Sequence, residues 1–90
     1  MSVKIHNHPT LSHLTNGREV VEVEGSTVGQ CLEQLVSRFP EMKGWLFGKN
    51  GKLSNVVEIY VNLKSSYPEE LAKPVKDGDE LNIILVISGG

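Results

Sequence analysis

The residues that first invite chemistry are the last two of the sequence, Gly89-Gly90, which follow Leu81-Asn82-Ile83-Ile84-Leu85-Val86-Ile87-Ser88. The longer stretch reads as a strand, and beyond Ser88 no side chain remains. Without a Cβ, a Gly-Gly end adopts nearly any backbone geometry, so it can thread a narrow channel in another protein's active site. The expectation is a flexible, sterically thin carboxylate held at the edge of a rigid body. With glycine near ~7% of residues, such an ending arises by chance about once in two hundred chains, so its weight depends on the domain behind it.

Other chemistry-bearing residues form weaker constellations. His6 and His8 stand two apart, which on a strand puts them on one face, and His13 follows. Zinc would need a third or fourth ligand in tetrahedral array, and none is evident, so solvated histidines and no metal site are expected. Cys31 falls on the apolar stripe of a helix, where a cysteine behaves as a small hydrophobe. Asp77, Asp79 and Glu80 lack the spacing of a calcium loop and suit turn chemistry instead. No phosphate-cradling glycine loop or catalytic triad pattern is present. None of these patterns by itself marks a catalytic residue.

Ninety residues bound the answer to one domain, with ordinary hydrophobic (39%) and charged (22%) content. A net charge of −2 provides no basic stripe, so nucleic acid and anionic membranes are poor partners. No stretch has the length and apolarity of a membrane span, and Met1-Ser2-Val3-Lys4 lacks the apolar run of a signal peptide. A single cysteine excludes an internal disulfide. A cytoplasmic location is the simplest expectation.

The elements that must position the tail follow from periodicity. Val3 and Ile5 alternate with polar neighbours in a first strand that Pro9 ends. Leu11 and Leu14 fall in a wide loop that closes at Asn16-Gly17. A second strand runs from Glu19 to Glu24 with Val21 and Val23 inward. Thr27 and Gln30 have capping-box spacing, and Val28, Cys31, Leu32, Leu35, Val36 and Phe39 form one helical stripe. Pro40 stops that helix. Met42, Trp45 and Leu46 suit a short helical turn over the end of the sheet. A third strand places Ile59, Val61 and Leu63 inward. Residues 64–73 read as irregular, with one helical turn at Pro68-Glu69-Glu70-Leu71. Val75 plugs the core, and Asp77-Gly78-Asp79 turns into the last strand, whose inward residues are Leu81, Ile83, Leu85 and Ile87.

This order predicts an α+β, β-grasp fold: one main helix across a mixed sheet, with the first and last strands adjacent and parallel. Residues 1–88 form the body and residues 89–90 the flexible reactive tail.

Taken in this order, the chain resembles the ubiquitin-like sulfur carriers of the MoaD/ThiS superfamily over nearly its whole length. The resemblance rests on Gly25-Ser26-Thr27-Val28-Gly29, Ile59-Tyr60-Val61-Asn62, Val75-Lys76-Asp77-Gly78-Asp79-Glu80-Leu81 and the terminal Gly89-Gly90. His8-Pro9-Thr10-Leu11, the Asn16-Gly17 turn and the insert from Trp45 to Leu53 are most similar to the CysO branch, whose carrier donates sulfur for amino-acid biosynthesis. Family tails often carry Pro and Ala before Gly-Gly; here Leu85-Val86-Ile87-Ser88 stands instead, which leaves the sulfur acceptor open.

The resemblance implies that the Gly90 carboxylate is adenylated and converted to a thiocarboxylate, with Ser88, Gly89 and Gly90 threading the partner's active site. It implies a ThiF/MoeB-type adenylyltransferase that uses ATP and Mg, a sulfur-accepting biosynthetic enzyme, and a metalloprotease that trims or releases the C-terminus. The carrier binds no cofactor and is a co-substrate, not an enzyme. Cysteine or homocysteine synthesis leads among acceptors, with molybdopterin and then thiazole synthesis behind. A ubiquitin-like protein modifier or a plain interaction module is the rival of another class. The expected partner-binding residues are Tyr60, Ile84, Val86 and Ile87. Ile84 and Val86 lie on the outer face of the sheet with Tyr60 and Val20 adjacent, Glu22 and Glu24 form a charged rim, and Ile87 stands just before the tail.

Overall fold

The computed structural model describes residues 1–86. The element that organises them is the last strand. Five strands, β1 (Ser2–His6), β2 (Val20–Glu24), β3 (Val57–Val61), β4 (Lys64–Ser65) and β5 (Glu80–Leu85), form one sheet in the order β2-β1-β5-β3-β4. β5 lies at the centre, parallel to β1 and antiparallel to β3. The parallel pair can only be joined by a crossover, and α1 (Val28–Arg38) supplies it on one face of the sheet. This is the β-grasp arrangement.

Alternation decides which face is buried. Val3 and Ile5, Val21 and Val23, Ile59 and Val61, and Leu81 and Ile83 all point inward, where Val28, Cys31, Leu32 and Leu35 of α1 meet them. Thr27 caps α1 by accepting from the Gln30 amide at 3.1 Å. Gln30 reaches back as expected, but its Oε1 serves the amide and hydroxyl of Ser26. The second strand begins at Val20, and Val75 closes the core at 3% exposure.

Four expectations need correction. The segment after β1 is not a wide loop but a 3-10 helix, Pro9–Thr15, that buries Leu11 and Thr15. Asn7 explains it: its side-chain amide donates to the Leu11 carbonyl and to Thr15 Oγ1, both at 3.1 Å, so a buried polar residue organises the turn. Leu63 is not inward but 78% exposed. The alternation fails there because Asn62 and Leu63 both take positive φ (49° and 71°) in a two-residue turn between β3 and β4. That turn makes β4, two residues long, inside the stretch read as irregular. The helical turn that follows is Glu70–Ala72, so Pro68 precedes it instead of opening it. Further back, Pro40–Met42 and α2 (Lys43–Leu46) bury Met42 and Leu46, whereas Trp45 stays 41% exposed.

The turn into β5 is built on Asp79. Its carboxylate accepts from Asn62 Nδ2 at 2.9 Å and from the Lys76 amide at 2.8 Å. The Asn62 bond first, then the Lys76 amide, hold its pKa below the ordinary 3.8. A carboxylate with a depressed folded pKa stabilises the fold above its unfolded value and loses that contribution as pH falls through the folded value. Replacing Asn62 by alanine is therefore expected to flatten the acid side of the stability curve below about pH 4, in urea titrations at stepped pH.

Candidate functional site

Among the described residues no helix covers the outer face of the sheet, and the side chains there follow from register. On β5 the outward residues are Asn82 and Ile84, with Val86 next along the chain. Tyr60 lies opposite Asn82, and Glu58 lies opposite Ile84. The Val86 amide donates to the Val56 carbonyl at 2.8 Å, so these two valines extend the same face by one row. Ile84, Val86 and Val56 are 38%, 40% and 46% exposed, and Tyr60 is half-buried. Diagonal neighbours across antiparallel strands reach one another, so Tyr60, Ile84, Val86 and Val56 form one continuous apolar patch. Scattered surface hydrophobes are ordinary; four contiguous ones on an uncovered sheet face make this the candidate docking surface.

Val20 does not join them. It pairs with His6 on β1, and β1 separates β2 from β5, so a polar column stands between Val20 and the patch. Glu22 and Glu24 likewise sit on β2 at the far edge, where Glu22 accepts from Ser2 Oγ and Glu24 pairs with the Met1 amino group at 2.9 Å. Two strands away, these carboxylates do not border the apolar patch.

The sequence missed Val56, because it precedes the strand by one residue and follows the Gly48–Gly51 loop. The signal was present: Val56 continues the outward alternation of Glu58 and Tyr60. Ile87, Ser88, Gly89 and Gly90 lie outside the described residues. β5 runs through the middle of the sheet, and Val86, the residue that follows it, is part of the patch.

The histidines do not converge. His6 Nε2 contacts Glu80 Oε1 at 2.5 Å on the outer face, and His8 is off the strand, its Nδ1 accepting from the Thr10 amide at 3.1 Å. His8 thus caps the 3-10 helix, and His13 is exposed on it. Among the described residues no cluster could hold a metal ion. Cys31 is fully buried against the sheet, and desolvation pushes its thiol up, away from thiolate character. Asp77 and Asp79 serve turn chemistry, Asp77 accepting from the Ser2 amide at 2.7 Å.

Comparison with known proteins agrees with the β-grasp fold. A model of the ThiS family matches residues 10–90. The chain is 32% identical over 82 residues to small archaeal modifier protein 1 of Haloferax volcanii, covering 89% of this chain and 91% of that protein. It is 29% identical over 93 residues to sulfur carrier protein CysO of Mycobacterium bovis, covering both in full. A stretch of medium-chain acyl-CoA ligase ACSF2 of Danio rerio is 28% identical over 86 residues, of which this chain spans 14% of the length. Among solved structures, a chain of the BexX/CysO complex of Amycolatopsis orientalis superposes with a TM-score of 0.88 at 31% identity, over 98% of this chain and 99% of that one.

Proposed function

Because this chain belongs to the ThiS family, we propose that it is a sulfur carrier whose Gly90 carboxyl is the reacting group. A carboxylate is a poor acyl donor, since attack must expel an oxide. An activating enzyme related to those that charge ubiquitin removes the obstacle with ATP and Mg. The Gly90 carboxylate attacks the α-phosphorus, pyrophosphate leaves, and an acyl-adenylate forms. Hydrosulfide then adds to the acyl carbon, AMP departs with the electron pair of the C–O bond, and a thiocarboxylate remains. The chain supplies no acid, base or metal to these steps; its part is to place its own end beside ATP, which makes the attack effectively unimolecular.

The observation that carries this reading is the apolar patch of Tyr60, Ile84, Val86 and Val56 ending where β5 hands over to the tail. A partner docked on it is within a few residues of Gly90. Full-length similarity to CysO supports donation of the sulfur to a cysteine or homocysteine precursor, and the BexX/CysO complex supports a biosynthetic enzyme as acceptor. Molybdopterin and thiazole synthesis are the alternative acceptors, and a metalloprotease that frees the C-terminus fits the same chemistry. Similarity to a small archaeal modifier favours a second reading, in which a lysine amine takes the place of hydrosulfide and an isopeptide forms.

Intact mass separates them. Incubation with the activating enzyme, MgATP and sulfide is expected to add about sixteen mass units, one oxygen exchanged for sulfur, and deletion of Gly90 to abolish the gain. Unchanged mass in the full chain, with isopeptide-linked products in its cells of origin, would leave the modifier reading in its place.

A further inference from the structure

We infer that a second contact site for the activating enzyme lies beside the patch: a notch that accepts one of its basic side chains. The notch, about 400 Å³, has Leu53, Val57 and Val86 as apolar floor and Glu58, Tyr67 and Glu70 around it. Val86 belongs both to it and to the outer-face patch, so the two surfaces are continuous. The inference rests on the carrier reading, since that reading supplies the partner.

Charge chooses the occupant. Glu58 and Glu70 are both half-buried, yet among the described residues neither has a lysine, arginine or histidine within ion-pairing distance. Glu58 accepts only from Ser65 Oγ, at 2.5 Å through Oε1, and the Glu70 carboxylate accepts from no side chain or amide among those residues. Partly desolvated carboxylates without a counter-charge resist an anionic group and favour a cation. Tyr67 adds a ring that is 74% exposed, a face on which a guanidinium or ammonium can rest while its donors reach the carboxylates. An apolar floor, two open acceptors and an aromatic wall suit an arginine or lysine: the stem lies on Leu53 and Val86, and the head meets Glu58 and Glu70. Neighbouring Ile84 has no such charge around it except Glu58, so the notch sets orientation where the patch supplies affinity.

The test is steady-state adenylation of the full chain by the activating enzyme with MgATP, followed as pyrophosphate release at low and high salt. The double substitution Glu58→Gln, Glu70→Gln is expected to raise the KM for the chain about ten-fold, to leave kcat unchanged, and to flatten the salt dependence seen with the natural chain. The amide of Glu58→Gln still accepts from Ser65 Oγ, and coincident thermal melts check the fold. Tyr67→Ala, in an exposed position, is expected to raise KM about three-fold on its own. If the natural chain is turned over but both variants match it in KM and salt slope, the notch is overturned and the carrier reading stands. If the natural chain is not adenylated at all, the carrier reading falls and takes the notch's occupant with it.

Discussion

Replacing Ile84 by lysine is expected to raise the KM of the activating enzyme for this chain about a hundred-fold while leaving the melting temperature within a few degrees. The size follows from the position: a central apolar anchor in an interface is worth roughly 2–4 kcal/mol when lost, and every 1.4 kcal/mol is ten-fold. The choice of lysine follows from the register. Ile84 lies directly opposite Glu58 on β3, so a lysine there gains a cross-strand partner of opposite charge and the sheet tolerates it. Folding and docking are thereby separated, which alanine or glutamate at this position would not do as cleanly. Glutamate would face Glu58 as a like charge. The check is a KM against kcat split in pyrophosphate release together with a thermal melt. A KM that stays within a factor of three would mean the enzyme grips another face.

The parts of this molecule that were legible in its sequence are those where one local rule and the tertiary fold agree. The stripe from Val28 to Leu35 and the alternation of β1, β2 and β5 gave the layers, and the crossover rule gave the parallel pairing of β1 with β5. The parts that were not legible are those where a single residue overrides its neighbours. Asn7 looks like any loop asparagine, yet its buried amide converts the following segment into a 3-10 helix. Leu63 fits a period of two perfectly, and only the left-handed backbone at Asn62 and Leu63 turns it to solvent. For the site, Tyr60, Ile84 and Val86 could be placed on the outer face from alternation alone. That Val20 is cut off by β1, and that Val56 joins them, depends on strand order, which no stretch of sequence states locally. The notch is further still from the sequence, because Glu58, Tyr67 and Glu70 come from β3, from the residues after β4 and from a 3-10 turn.

Leu81 tests the opposite face of the strand that carries Ile84. It is fully buried and stands between Ile5 of β1 and Val61 of β3 at the centre of the sheet. Shortening it to alanine leaves a cavity that flanking strands, hydrogen-bonded on both sides, cannot close, and such changes cost roughly 2–5 kcal/mol. A domain of this size has a total stability of about 5–13 kcal/mol, so a sizeable share of it is at stake. The expected result is a fall in melting temperature of about 10–30 °C, since each kcal/mol moves a small domain by about 4–8 °C. Well below that temperature, Leu81→Ala should keep the KM of the natural chain, because the outward residues of β5 are untouched. Ile84→Lys should do the reverse, keeping the melt and losing the KM. Two substitutions three residues apart on one strand then read out fold and docking independently. A loss below about 1 kcal/mol at Leu81 in urea titration would deny β5 its central place in the sheet.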